Sequence, residues 1–310
     1  EVERARQVPP FCTAEVLDAD PDHEMPYLVV EYVDGPSLAD VVTERGPLSP
    51  ANLHSLAIGM ATALTAIHGA GVIHRDLKPS NVLLAPGSPK VIDFGIARAV
   101  EATSQQTRTD QLLGTVGYMA PERFGPDSAK LVSPAADVFA WGAVLAYAGT
   151  GRPPFGVDSP PIVATRIVTQ PPELAGLAPP LRDLVEHALA KDPADRPTSR
   201  QLLDMLLAPG GERPPAVAAA LAEQPALLAA AAEARAATAQ DATAPAGHDT
   251  TRLAGGTPGA TPAPPLAPAP SPPVPSPPAP PPRTGGRGGR FANVVLAVAA
   301  LVTSLTVAGI

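Results

Sequence analysis

A single cysteine, Cys12, stands in a chain of 310 residues, which excludes an internal disulfide framework and a zinc site built from cysteine ligands. It fits a reducing compartment and the role of a small buried thiol. Positive charge is also scarce: 22 Lys and Arg against 30 Asp and Glu leave a net charge of -8, and no run rich in Lys and Arg breaks the pattern. That excludes a nucleic-acid partner held by a basic patch. His23, His54, His68, His187 and His248 show no metal-ligand spacing and read as surface or core residues. The first residue is Glu rather than Met and no signal peptide precedes the first globular stretch, so the chain is expected to be cut upstream.

Proline, by contrast, is abundant: 42 residues, too many for one compact fold, so part of the chain is expected to be unpacked. Residues 1–208 have ordinary globular composition, with apolar runs such as Tyr27-Leu28-Val29-Val30 between turn signals and helical periodicity from Ala51 to His68. From Pro209 to Ala244 the chain is alanine-rich. Ala216 to Ala237 has the propensity for helix, interrupted at Pro225, but not the look of a packed domain. Gly256 to Pro282 carries no charge and half of residues 256–283 are proline, which predicts extended polyproline II or disorder and hence a spacer. Residues 209–290 together read as a disordered Ala/Pro-rich juxtamembrane linker.

Arg283, Arg287 and Arg290 then lead into Phe291 to Ile310, 20 residues without a charge, which predicts one transmembrane helix over 291–310. At a rise of about 1.5 Å per residue such a helix just crosses a hydrocarbon core of about 30 Å. Arginines on its N-terminal flank place that side, and the globular part, in the cytoplasm. The other reading is an apolar helix docked on the protein, for which the proline spacer leaves no obvious core.

Residues 74–81 read His74-Arg75-Asp76-Leu77-Lys78-Pro79-Ser80-Asn81, and Asp93-Phe94-Gly95 follows after short apolar runs at Val82 to Leu84 and Val91-Ile92. Asp-Phe-Gly alone is common by chance; behind this octet and in this order it is very specific. Ala120-Pro121-Glu122, Asp137-Val138-Phe139-Ala140-Trp141-Gly142 and Asp192-Pro193-Ala194-Asp195-Arg196-Pro197 come next. From Tyr27 to Pro197 the succession resembles the protein kinases, of the bacterial, actinobacterial-type, membrane-anchored serine/threonine kind.

The resemblance implies an α+β kinase-like fold with a small lobe truncated here and a mainly helical large lobe, using ATP and Mg²⁺ to phosphorylate Ser or Thr of protein substrates. Asp76 would accept the proton of the acceptor hydroxyl, Lys78 would reach the γ-phosphate, and Asn81 and Asp93 would be the protein ligands of Mg²⁺. His74 takes a structural role, packing on the motif's phenylalanine. Adenine would meet the carbonyl of Glu31 and the backbone of Val33, with Val30 guarding the rear pocket and Leu83 in the floor. Arg75 would clamp a phosphate on the activation segment, at Thr107 or Thr109, while Thr115 would face Asp76 and Lys78 and help to select a hydroxyl acceptor. Asp137 would brace the catalytic loop and Arg196 would pair with Glu122. Activation through a homodimer is a further expectation.

The chain departs from the family at its start, where the glycine-rich phosphate loop and the strand lysine should precede residue 1. Glu1 or, less well in register, Glu3 would be the partner of that lysine. The 310 residues alone are therefore expected to turn over ATP very weakly or not at all. Two competitors remain: a non-catalytic kinase-like signalling module, and a small-molecule phosphotransferase, for which Ala120-Pro121-Glu122 is a poor match.

Overall fold

The computed structural model describes residues 2–10, 12–20, 23, 27–93, 115–125, 132–208 and 214–241. A short helix α1 (Val2–Ala5) precedes an antiparallel pair, β1 (Val16–Asp20) and β2 (Tyr27–Val30). Val16 faces Val30 and Asp20 faces Tyr27, with an irregularity between Val16 and Asp18. The chain then leaves the sheet through residues 31–36 and enters the helical part.

Helix α2 (Leu38–Arg45) is capped by Ser37, whose hydroxyl accepts the amide of Asp40 at 3.1 Å. Helix α3 (Pro50–Gly69) starts on Ser49, which accepts the amide of Asn52, with Pro50 where its missing N–H is harmless. Every residue from Leu53 to Ile67 is buried, as expected of a largely apolar helix central to a core. Its buried hydroxyls are satisfied internally: Thr62 donates to the Ile58 carbonyl at 2.8 Å and Thr65 to that of Ala61 at 2.7 Å.

After α3 the chain crosses to β3 (Val82–Ala85) and β4 (Ser88–Val91), an antiparallel hairpin closed by Pro86 and Gly87. Gly87 takes φ of 90°, the left-handed value that the second central position of a Pro-Gly turn requires. The hairpin lies on α3 so closely that a Cβ at Gly59 would sit 2.2 Å from Cγ of Pro89.

Helix α4 (Pro134–Thr150) is the second buried helix, with Val138, Phe139, Trp141, Val144 and Leu145 inside and the Trp141 indole donating to the Ala57 carbonyl of α3 at 3.2 Å. It stops at Gly151, which is left-handed at φ of 74° and returns its N–H to Tyr147. Helices α5 (Pro160–Thr169), α6 (Leu181–Ala188) and α7 (Ser199–Leu207) complete the surround, α7 beginning in a capping box between Thr198 and Gln201.

Two more helices follow where the sequence predicts linker: α8 (Pro215–Ala222) and α9 (Pro225–Asp241), meeting at 86° across the break expected at Pro225. They are not unpacked. Leu227, Ala230, Ala231 and Ala234 of α9 are buried, and α9 packs on α3 and α7. The spacing i, i+3, i+4, i+7 makes one narrow face of small side chains, which lets α9 approach α3 closely. Arg200 of α7 seals the contact, donating to the Arg235 carbonyl at 2.9 Å and the Thr238 hydroxyl at 2.7 Å, while Arg235 pairs with Asp204 at 2.6 Å. Among the described residues no single helix is long and apolar enough to cross a membrane; the span expected at 291–310 and the proline spacer lie outside them.

Candidate active site

The loop between α3 and β3 carries the octet, and α4 shapes it. Asp137, fully buried near the start of α4, accepts the amide of His74 on Oδ2 at 2.8 Å and that of Arg75 on Oδ1 at 2.9 Å. Oδ2 also meets Nε2 of His68 at 2.8 Å, and the other ring nitrogen of His68 meets the Ser199 hydroxyl at 3.0 Å. Burial alone would raise the Asp137 carboxyl, but the hydrogen bond and charge of His68 and the Arg75 amide outweigh it and hold it below the ordinary carboxylate value. His68, read from sequence as an ordinary core or surface residue, thus belongs to the support of this loop.

Among the described residues, the non-glycine residues with positive φ are Arg75, at 69°, and Asp93, at 58°. Such a conformation costs roughly 1–3 kcal/mol and persists only when its surroundings over-determine it. Both fall in the octet and in Asp-Phe-Gly, so the sequence motifs and the backbone strain point to the same place.

Asp76 follows Arg75 and keeps its carboxylate partly open, at 41% side-chain exposure. Lys78 Nζ lies 2.8 Å from Asp76 Oδ2 and 3.4 Å from the Thr115 hydroxyl, so one ammonium joins the expected base to the segment of Thr115. Asn81 is buried in the turn Pro79–Asn81, its Nδ2 donating to the Asp76 carbonyl at 2.9 Å. With the amino group so engaged, Oδ1 accepts from the Ser80 hydroxyl at 3.3 Å and keeps lone-pair capacity. Asp93 is exposed, two residues past the end of β4. A carboxamide oxygen and an exposed carboxylate suit Mg²⁺, which takes few protein oxygens and fills its octahedron with phosphate oxygens and water. Among the described residues no group of three or more His, Cys, Asp and Glu gathers as a metal site of another kind.

His74 is wholly buried. Its Nε2 reaches the Ile92 carbonyl at 3.0 Å while Nδ1 accepts the Asp76 amide at 3.3 Å, which requires the neutral ring with its proton on Nε2. Burial lowers its pKa below the ordinary histidine value, against the charges of Asp137 and Asp76. The side chain ties the octet to the residue before Asp93; the phenylalanine expected against it, Phe94, lies outside the described residues.

The segment expected to meet adenine joins β2 to α2. The Glu31 amide donates to the Glu15 carbonyl at 2.8 Å, and its carboxylate bonds Lys90 at 2.8 Å, which lowers its pKa. Val33 is buried, Leu83 half-buried in β3, and Val30 39% exposed at the end of β2. Thr107, Thr109 and Glu1 lie outside the described residues; Glu3 falls in α1.

Glu122 and Arg196 form the expected pair in bidentate geometry, both bonds 2.8 Å, with the guanidinium fully buried. Its remaining donors reach the carbonyls of Ala190, Lys191 and Ala135, so all five N–H groups are used, and the Phe139 ring lies 5.1 Å beneath. Arg123, beside Glu122, donates to the Arg75 carbonyl at 2.5 Å. Nothing in the motif spacing marks Arg123, whose role depends on where the turn Pro121–Phe124 lands.

A helical body thus bears a loop of carboxylate, ammonium and carboxamide, next to a strand pair that leads into it. The family profile of the protein kinase domain matches residues 14–207, and the chain belongs to that family. It is 48% identical over 206 residues to a probable serine/threonine-protein kinase PkwA of Thermomonospora curvata, covering 66% of this chain and 27% of that protein. Serine/threonine-protein kinase AfsK of Streptomyces coelicolor is 45% identical over 65% of this chain and 25% of its own length; PknB of Mycobacterium tuberculosis is 38% identical over 63% and 32%. The match thus spans about a quarter to a third of these relatives. Among solved structures, Rad53 1-466 in complex with AMP-PNP superposes with a TM-score of 0.55 at 25% identity, over 66% of this chain and 52% of that one.

Proposed function

We propose that the intact protein is a serine/threonine protein kinase that transfers the γ-phosphoryl group of ATP to Ser or Thr hydroxyls of proteins. The observation that carries this reading is the Lys78 bridge between Asp76 and Thr115. It sets a base, a cation and the acceptor-side segment within one hydrogen-bonded group. Asp76 Oδ accepts the proton of the acceptor hydroxyl as its oxygen bonds to the γ-phosphorus and the bond from that phosphorus to the bridging oxygen breaks, ADP leaving, while Lys78 balances charge on the transferring group. Asn81 Oδ1 and the Asp93 carboxylate would hold Mg²⁺, which would neutralise charge on the phosphate oxygens. The AMP-PNP bound by Rad53 supports nucleotide binding here; in our reading the adenine lies beside Glu31, Val33 and Leu83, with Val30 at its rear.

Arg75, left-handed and next to Asp76, is in our reading the clamp for a phosphate on Thr107 or Thr109, so that the loop is ordered when modified. The uncharged stretch 291–310, with arginines before it, supports a single span with the kinase domain in the cytoplasm, where a homodimer could bring two activation segments together. The test is phosphate incorporation into protein substrates by the intact protein and by Asp76→Asn. Loss of incorporation with nucleotide binding retained is expected. Binding without transfer in the unmodified protein would instead favour a non-catalytic signalling module.

A further inference from the structure

We infer that Arg123 is a positioning residue for the proposed phosphotransfer: it fixes the peptide bond from which Asp76 extends. This rests on the kinase reading above and adds to it a residue outside the motifs.

The peptide unit between Arg75 and Asp76 is a rigid plane, with the Arg75 carbonyl on one side and the Asp76 amide on the other. Arg123 Nη1 donates to that carbonyl at 2.5 Å, and the Asp76 amide donates to His74 Nδ1 at 3.3 Å. The plane is therefore held at both edges. The preceding plane is held separately, by the Arg75 amide on Asp137 Oδ1 at 2.9 Å. Between these two planes lies the left-handed Cα of Arg75, so the strained residue has its amide tied to α4 and its carbonyl tied to Arg123. Freeing the carbonyl would let the plane rotate toward a relaxed φ and carry the Asp76 carboxylate away from Lys78.

Arg123 is itself well placed to act as a fixed point. It follows Glu122, which the buried Arg196 grips through two bonds, and its turn directly continues the segment Thr115 to Ala120. Arg75, Asp76, Thr115 and Arg123 line one small crevice. The segment that presents Thr115 to Lys78 and the guanidinium that orients Asp76 are thus a single anchored stretch of chain. A misplacement of about 1 Å in a reacting group can cost on the order of 100-fold in rate, and a hydrogen bond from a charged group accounts for roughly 10-fold or more.

The test uses the intact protein with Arg123→Met, which keeps the stem and removes the donors, and Arg123→Lys, which restores one donor. Arg123→Met is expected to lower kcat by about 10-fold or more with KM for ATP unchanged. Lys should recover most of that loss whatever either variant does to the melting temperature. Amide exchange at Asp76 should quicken in the Met variant and return in the Lys variant. An unchanged kcat in Arg123→Met, or a loss that Lys does not restore, overturns the inference. Should the unmodified protein transfer no phosphate, the kinase reading fails, and the exchange rate at Asp76 alone decides this one: unaltered exchange in Arg123→Met overturns it.

Discussion

Replacing Glu122 by Gln should destabilise the helical body severely, although it substitutes none of the side chains assigned to the chemistry. The Arg196 guanidinium is fully buried, and two of its five donors end on the Glu122 carboxylate. A carboxamide in that place would keep the shape, offer one acceptor and turn an amino group toward the other donor, leaving a buried charge unmatched. Breaking one side of such a pair costs about 3–5 kcal/mol, a large part of the roughly 5–15 kcal/mol that holds a domain together. For a body near 200 residues this corresponds to a fall in melting temperature of roughly 6–20 °C at about 2–4 °C per kcal/mol. Removing both partners, as Glu122→Leu with Arg196→Met, should not restore stability, because the carbonyls of Ala190, Lys191 and Ala135 would lose their donors too. Urea denaturation of the three proteins measures this. A cost below about 1 kcal/mol for Glu122→Gln, the range of exposed pairs, would refute the reasoning, as would full recovery in the double variant.

Leu227→Ala in α9 should cost about 2–5 kcal/mol in the same assay, since Leu227 is wholly buried; a residue of an unpacked linker would give no change. The buried neutral His74 binds a proton more readily in the unfolded chain, because its folded pKa lies below the ordinary 6.5. Its contribution is therefore present above about pH 6.5 and is lost as pH falls through the lower folded value, by up to about 1.4 kcal/mol per pH unit. Comparing urea midpoints of the natural protein and His74→Gln at neutral and mildly acidic pH should show a shallower fall in the variant. Cys12, with its thiol pushed up to about 12 by burial, should resist a disulfide reagent at pH 8 in the native state and react once unfolded; rapid native labelling would contradict its burial.

Asp137 and the Glu122–Arg196 pair were legible in the sequence because each sits at a fixed place in a specific succession of motifs, and their partners follow from that place. Asp76, Lys78, Asn81 and Thr115 lie together for the same reason. His68, Ser199 and Arg123 carry no such mark: their contacts join residues far apart in sequence, and a histidine or arginine outside a motif looks like any other. The docking of helix α9 is hidden in the sequence for a different reason. Its packing face is made of alanines around Leu227, and alanine-rich composition next to a proline spacer has the look of a tether rather than of a docked helix. The helical propensity was visible; the fit against α3 was not, because small residues signal closeness only when the opposing surface is known.

The loop that bears Asp76 is bonded within itself through His74 and Asn81, but its entry at His74 and Arg75 is held by one carboxylate on α4. Two backbone amides and a histidine converge on Asp137, so the loop's geometry lasts only as long as the first turns of α4 stay wound. Local fraying there would erase the arrangement well before the body as a whole melts. Loss of function on warming would therefore report the integrity of a single helix end, and a stabiliser of the Pro134–Asp137 turn would extend the working temperature without touching any group that meets substrate.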